Sequence, residues 1–118
     1  MARAVSNLLA DIKRDLRIKN DKFDGEVQDL IDGAKADLKL SGVNVDKTIK
    51  ETYIPEPTEE IPEPDPVEIQ VIDPLIKRAV SLYAKAHFGL DNADSEKYMA
   101  AFTSLKTHLT LSAEYTEV

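Results

Sequence analysis

Apolar residues recur with a helical period along four segments of the chain, and the first two segments predict surface helices. The second covers residues 22–40, and Gly42 is well placed to end it. In each segment the apolar positions fall within an arc of about 100° on a helical wheel, so one face of each helix should be buried. The first arc contains Val5, Leu8, Leu9, Ile12 and Leu16, and the second contains Phe23, Val27, Leu30, Ile31, Ala34 and Leu38.

The third segment predicts the best-bounded helix, and with the fourth it forms a predicted hairpin over residues 73–115. Asp73 can cap the backbone donors, Pro74 suits the first turn, and Gly89 suits the end. The apolar positions of the third segment spread over about 160°, wider than the stripe of a surface helix, so this helix should be central. They are Leu75, Ile76, Ala79, Val80, Leu82, Tyr83 and Ala86.

The fourth segment begins at Asn92 or Asp94, either of which could cap it. Its apolar stripe is about 100° wide. The link over residues 89–92 is short, which favours an antiparallel arrangement with the third segment. The stripe contains Tyr98, Ala101, Phe102, Leu105 and Leu109.

A proline-rich, acidic segment over residues 54–66 separates the two helical halves. It holds five of the six prolines and five acidic side chains, so it predicts an extended, solvated loop. After it, residues 67–72 alternate like a short strand, while residues 47–53 fit either one helical turn or the partner strand. The acidic side chains are Glu56, Glu59, Glu60, Glu63 and Asp65.

These patterns predict an all-α protein, a small bundle of four main helices with a long Pro/Glu-rich loop between the second and third. The pattern does not decide whether a short strand pair flanks the loop. The 118 residues favour one domain over residues 1–118, with a flexible tail at 116–118. No apolar run reaches the roughly 20 residues that span a bilayer, and the first residues do not read as a secretion signal.

The net charge of −7 is unevenly distributed along the chain. Residues 1–22 carry six basic and three acidic side chains, whereas residues 23–72 carry four basic and thirteen acidic ones. Clustered Lys and Arg are needed to displace counterions from a nucleic-acid backbone, and only the N-terminal stretch offers them. A small regulatory or DNA-binding module using that stretch is therefore an alternative interpretation of function.

Residue patterns that would carry catalysis or hold a cofactor are lacking. His87 and His108 are the two histidines, neither lies in a metal-binding spacing, and there is no cysteine. No Gly-rich phosphate loop or Gly-x-Ser-x-Gly elbow occurs. The sequence predicts no catalytic residue, cofactor or metal site, and a metal-assisted enzyme using scattered Asp and Glu is kept as a third alternative.

The order of motifs resembles that of phage head-to-tail connector proteins of the gp6-like class, in the branch of Gram-positive phages and prophages. The first half contributes Leu8-x-x-x-Ile12-x-x-x-Leu16-Arg17-Ile18 and Leu30-Ile31-x-x-Ala34-Lys35. The second half contributes Asp73-Pro74-Leu75-Ile76-x-x-Ala79-Val80-x-x-Tyr83-x-x-x-x-Phe88-Gly89 and then Tyr98-x-x-x-Phe102-x-x-Leu105-x-x-x-Leu109-x-x-Ser112-x-x-Tyr115. Together these motifs cover most of the chain.

The resemblance implies a structural virion component without catalytic residues. Such a subunit joins a ring of about twelve copies, docks on the portal protein, meets a tail-side stopper or head-closure protein, and extends the DNA exit channel. It implies a place at the head-tail interface, assembly in the host cytoplasm, and DNA that passes without specific binding. The loop at 54–66 is an elaboration that shorter members lack.

Residues of the predicted hairpin are the candidates for packing and assembly. The wide arc of the third helix fits a subunit that contacts its neighbours, and it fits a central helix in a monomer equally well. Tyr115 could anchor the C-terminal segment on a partner such as the portal, and fraying into solvent is the alternative. The candidates are Leu75, Val80, Tyr83, Phe88, Tyr98, Phe102 and Tyr115.

Overall fold

A computed structural model describes residues 8–89 and 93–116 of the protein. Within these residues the fold is mostly helical with one two-stranded antiparallel sheet, so the all-α prediction holds for the body and is corrected by the strand pair. The elements are α1 (Leu8–Asp15), α2 (Asp24–Leu40), β1 (Thr48–Tyr53), β2 (Val67–Ile72), α3 (Pro74–His87), α4 (Ser95–Thr110) and α5 (Ala113–Thr116).

Helix α3 is the centre of the body, as its wide apolar arc predicts. It packs against α1, α2 and α4. Ile76, Ala79, Val80 and Ala84 are fully buried on it, whereas Leu75 at its first turn is 41% exposed. The buried residues of α1, α2 and α4 meet α3 in one hydrophobic core, so burial on several sides fixes this helix in place.

The predicted C-terminal end of α2 and both predicted ends of α3 are confirmed, and each has a local cause, whereas α2 begins at Asp24 rather than at residue 22. The side chain of Asp73 accepts a hydrogen bond from the Leu75 N–H at 2.9 Å, so it caps α3. Gly42 and Gly89 both have positive φ, +97° and +84°, which glycine adopts without steric cost. After α2 the Val43 N–H donates to the Leu38 carbonyl at 3.0 Å, and Val43 is buried in the core.

Helices α3 and α4 form the predicted antiparallel hairpin. The Ser95 hydroxyl donates to the Ala86 carbonyl at 2.7 Å at one end, and the rings of Tyr83 and Phe102 lie 5.3 Å apart farther along. Asp94 occupies the N-cap position of α4, although its side chain makes no capping hydrogen bond. The other predicted cap, Asn92, lies outside the described residues.

Some predicted stripe residues are more exposed than expected. Phe23 is 43% exposed because it precedes α2, where its ring packs edge-on against Phe88 at 5.6 Å. Ala101 is exposed at the margin of the α4 stripe, and Val5 lies outside the described residues. Thr116 is the last residue of α5, while residues 117 and 118 of the predicted tail also lie outside them.

Candidate assembly surfaces

Residues 48–72 form an arm made of β1, the acidic loop at 54–66, and β2. Residues 47–53 therefore include the partner strand rather than a helical turn. The strands pair antiparallel from Thr48 opposite Ile72 at the base of the arm to Tyr53 opposite Val67, where the acidic loop begins and ends. They pack mainly on each other rather than on the helices. The described fold measures 51 × 37 × 20 Å, which fits an arm that extends from the body.

The two faces of the arm differ in polarity because directly opposed residues share a face of a sheet. One face is mainly polar, with Lys50 and Glu68 forming an ion pair at 3.6 Å. The other face is apolar apart from Glu51, and most of its side chains do not pack on the core of the body. It contains Ile49, Tyr53, Val67, Ile69 and Val71.

The acidic loop has a defined turn at its tip. The Thr58 N–H donates to the Ile61 carbonyl at 2.9 Å, and the Ile61 N–H donates to the Thr58 hydroxyl oxygen at 3.0 Å. Ile54 and Ile61 are 69% and 56% exposed, so the loop carries large apolar side chains in water. The five predicted acidic side chains, Glu56, Glu59, Glu60, Glu63 and Asp65, are all exposed.

A surface groove of about 590 Å³, here called the N-terminal groove, runs along α1 and the turn after it. Leu9, Ala10 and Ile18 supply apolar lining, and four cations and one acid surround it. The charged residues are Lys13, Arg14, Arg17, Lys19 and Asp24.

Ion pairs neutralise two of the four cations of the groove. Lys13 lies 2.7 Å from Asp24, and this hydrogen-bonded pair raises the pKa of Lys13. Arg14 lies 3.4 Å from Asp11. Arg17 and Lys19 have no ion-pair partner among residues 8–89 and 93–116.

Arg17 has a left-handed backbone conformation, with φ of +62°. It follows α1 at the position where a glycine usually ends a helix, and the backbone hydrogen bonds around it are those typical of a helix C-terminus. The Ile18 N–H donates to the Lys13 carbonyl at 2.9 Å, and the Arg17 N–H donates to the Arg14 carbonyl at 3.0 Å. A residue with a β-carbon is strained in this conformation, so the chain holds an arginine at an unfavourable position beside the groove.

The predicted packing and assembly candidates separate into buried and partly exposed residues. Val80 and Phe102 are fully buried, and Tyr83 packs between Phe102 and the exposed His87. Leu75 borders a second groove of about 500 Å³ on the outer side of α3, with Arg78 among its lining cations. Phe88 and Tyr98 are half-buried.

Tyr115 packs on its own subunit. Its hydroxyl donates to Asp73 at 3.3 Å, its carbonyl accepts from the Asn44 N–H at 2.7 Å, and the Lys47 amine lies 5.3 Å from its ring centre. Burial, followed by the neighbouring Asp73 carboxylate, raises the pKa of the Tyr115 hydroxyl. Its role in binding the portal stays a prediction.

Neither the arm's apolar face nor the N-terminal groove was identified as a surface from the sequence. The alternation in residues 67–72 signalled a strand, and the basic stretch signalled charge, but neither signal shows which residues share a face. In the part of the chain that the structure describes, no cluster of three His, Asp or Glu side chains could hold a metal ion. Every helix described there is too short or too polar to cross a membrane.

Comparison with known proteins gives one match. No curated protein and no solved structure matches the chain. A model of the family described as Phage connector protein matches residues 8–116, which include both the N-terminal groove and the whole arm. Since the match covers most of its length, the chain belongs to the phage connector protein family.

Proposed function

We propose that this phage connector protein forms a ring that docks on the portal and extends the DNA exit channel toward the tail. Membership of the family makes the chain a structural head-tail component of the virion. The ring, its copy number of about twelve, and contacts with the portal and a tail-side stopper belong to the proposal.

The arm is the observation that carries this proposal. Its apolar face lies outside the core of its own subunit, and a two-stranded hairpin is at best marginally stable alone in water. An apolar surface of this kind marks a site of protein–protein contact. A projecting arm on a helical body suits a subunit that must reach its neighbours around a ring.

The charge of the chain suits a channel that conducts DNA without holding it. Tight binding to a duplex requires displacement of counterions by clustered cations, and the net charge here is −7. Two of the N-terminal cations, Lys13 and Arg14, are already paired with acidic side chains. The net negative charge and the pairing of these cations therefore favour passage of DNA over its retention.

Electron microscopy of the protein mixed with the portal protein of the same phage tests the proposal. We expect a ring stacked coaxially on the portal, with the protein alone and the portal alone as controls. A variant in which residues 49–71 are replaced by a short Gly-Ser link should keep the helical signal in circular dichroism and lose the ring. A protein that stays monomeric with portal present would refute the proposal.

A duplex-binding titration separates this function from the DNA-binding alternative. Neutralising Arg14, Arg17 and Lys19 would abolish salt-dependent binding if the basic stretch were a DNA site. We expect the unmodified protein to show no binding to short duplexes even at low salt.

A further inference from the structure

The N-terminal groove combines an apolar lining with positive charge that the described residues leave without an ion-pair partner. Leu9 and Ile18 are partly buried and pack against the edge of the core. Beside them Arg17 and Lys19 are exposed and have no ion-pair partner among the described residues. A ligand that fits this surface needs an apolar side chain flanked by carboxylates.

The tip of the acidic loop has this chemistry. Ile61 is 56% exposed at the end of the Thr58–Ile61 turn, and Glu59 and Glu60 lie within that turn. The hydrogen bonds between Thr58 and Ile61 and the five prolines of the loop restrict its conformations before any contact is made. Restriction of this kind lowers the entropy lost on docking.

A second copy of the chain is the occupant that the observations favour. Helix α1 packs against α2 and α3, while the strands that carry the loop pair with each other, so the groove and the loop belong to different parts of one subunit. Contact between two different patches of identical chains is head-to-tail, and such contacts close into rings. The inference therefore rests on the ring of the proposed function.

We propose that the turn at residues 58–61 of one subunit docks in the N-terminal groove of the next subunit. Ile61 covers the apolar lining of Leu9 and Ile18, and Glu59 and Glu60 face Arg17 and Lys19. Docking neutralises these two cations, which have no ion-pair partner among residues 8–89 and 93–116 of their own subunit. It also places the loop between subunits rather than in the lumen of the channel.

Disulfide trapping tests this contact directly because the chain has no cysteine of its own. The double variant Ile61→Cys with Ile18→Cys, assembled on portal and oxidised, should give a ladder of covalent oligomers on a non-reducing gel. A mixture of the two single variants should stop at dimers. The control Ile61→Cys with Leu40→Cys, whose second position is 92% exposed on α2, should stay monomeric.

Charge reversal supplies an independent test. R17E/K19E and E59K/E60K should each lower the ring yield about tenfold or more, because like charges then face each other. Combining all four changes in one chain should restore the ring. The control K39E/K97E reverses two exposed cations outside both grooves and should leave the yield unchanged. Melting temperatures of the free variants report whether each still folds.

The outcomes distinguish this contact from the proposed function. A wild-type ring on the portal without the ladder, or with a cross-link inside one chain, overturns the docking contact and leaves the ring intact. Equal loss of rings in R17E/K19E and K39E/K97E also overturns it. Absence of any wild-type ring refutes both proposals.

Discussion

Replacing Arg17 with glycine should stabilise the free subunit, although the change removes a side chain. At φ of +62° the β-carbon of Arg17 costs roughly 1–2 kcal/mol relative to a conformation that L-residues prefer. Glycine avoids this cost but gives the unfolded chain more freedom, which offsets about 0.4–1 kcal/mol. The expected gain in the free energy of unfolding is about 0.5–1 kcal/mol.

The gain can be measured as a melting temperature. Unfolding entropy of about 2.1 cal/mol/K per residue over the 118 residues makes 1 kcal/mol worth about 4 °C, so Arg17→Gly should melt about 2–4 °C higher. Arg17→Ala is the matched control, since it loses the charge and keeps the strained β-carbon. It should melt at or slightly below the wild type, because the cation near the end of α1 interacts favourably with the helix dipole.

The difference in melting temperature between the two variants isolates the cost of a β-carbon at this positive φ. If Arg17→Gly melts no higher than Arg17→Ala, the strain argument is wrong. Both variants remove a cation from the N-terminal groove, so both should weaken ring formation on the portal. A subunit that is more stable and assembles less well would indicate that the charge of Arg17 serves assembly at a cost to the stability of the free subunit.

Three further predictions concern the core and the C-terminal segment. Phe102→Ala should cost about 3–5 kcal/mol in urea unfolding, against almost nothing for Leu111→Ala, because Phe102 is fully buried and Leu111 is 80% exposed. Asp73→Ala should cost about 2 kcal/mol through loss of the α3 cap and of the Tyr115 hydrogen bond, and Tyr115→Phe about half as much. The folded state raises the pKa of Tyr115 above its ordinary value of 10.0, so the neutral tyrosine favours folding and stability should fall as pH rises above about 10. Tyr115→Phe should make the melting temperature fall less steeply over this pH range. An identical alkaline profile for wild type and variant would contradict this prediction.

The ends of α3 could be predicted from sequence because their causes are local. Asp73 and Pro74 are adjacent to the first turn, and Gly89 needs only its own positive φ. The central position of α3 was also predictable, since the width of its apolar arc depends only on the spacing of its residues. Helices α1, α2 and α4 then pack on this apolar surface, and their packing does not alter the ends of α3.

The partner of the β2 strand could not be decided in the same way. Residues 48–53 alternate Thr, Ile, Lys, Glu, Thr and Tyr, which is too polar to separate a half-exposed strand from a helical turn. Their conformation is set by pairing with residues 67–72 across the loop, and neither segment alone determines the register of that pairing.

The N-terminal groove shows a different limit of sequence reasoning. The sequence shows the basic stretch, and its charge alone favours a DNA site. Only the fold shows that Asp24 and Asp11 neutralise Lys13 and Arg14. The left-handed turn at Arg17 was equally hidden, because no glycine marks it and the hydrogen bonds of the helix end impose it.

The arm contacts the body mainly at its base, around Lys47, Ile72 and Asp73, so it has the geometry of a lever. The Asp73 N–H donates to the carbonyl of Lys47, just before β1, while the Asp73 side chain holds α3 and Tyr115. Strands of six residues extend about 20 Å from this pivot, so a slight rotation at Asp73 displaces the tip by several ångströms. In the proposed ring, such a rotation would let the arm reach neighbours at different spacings while the helices of each subunit keep their packing.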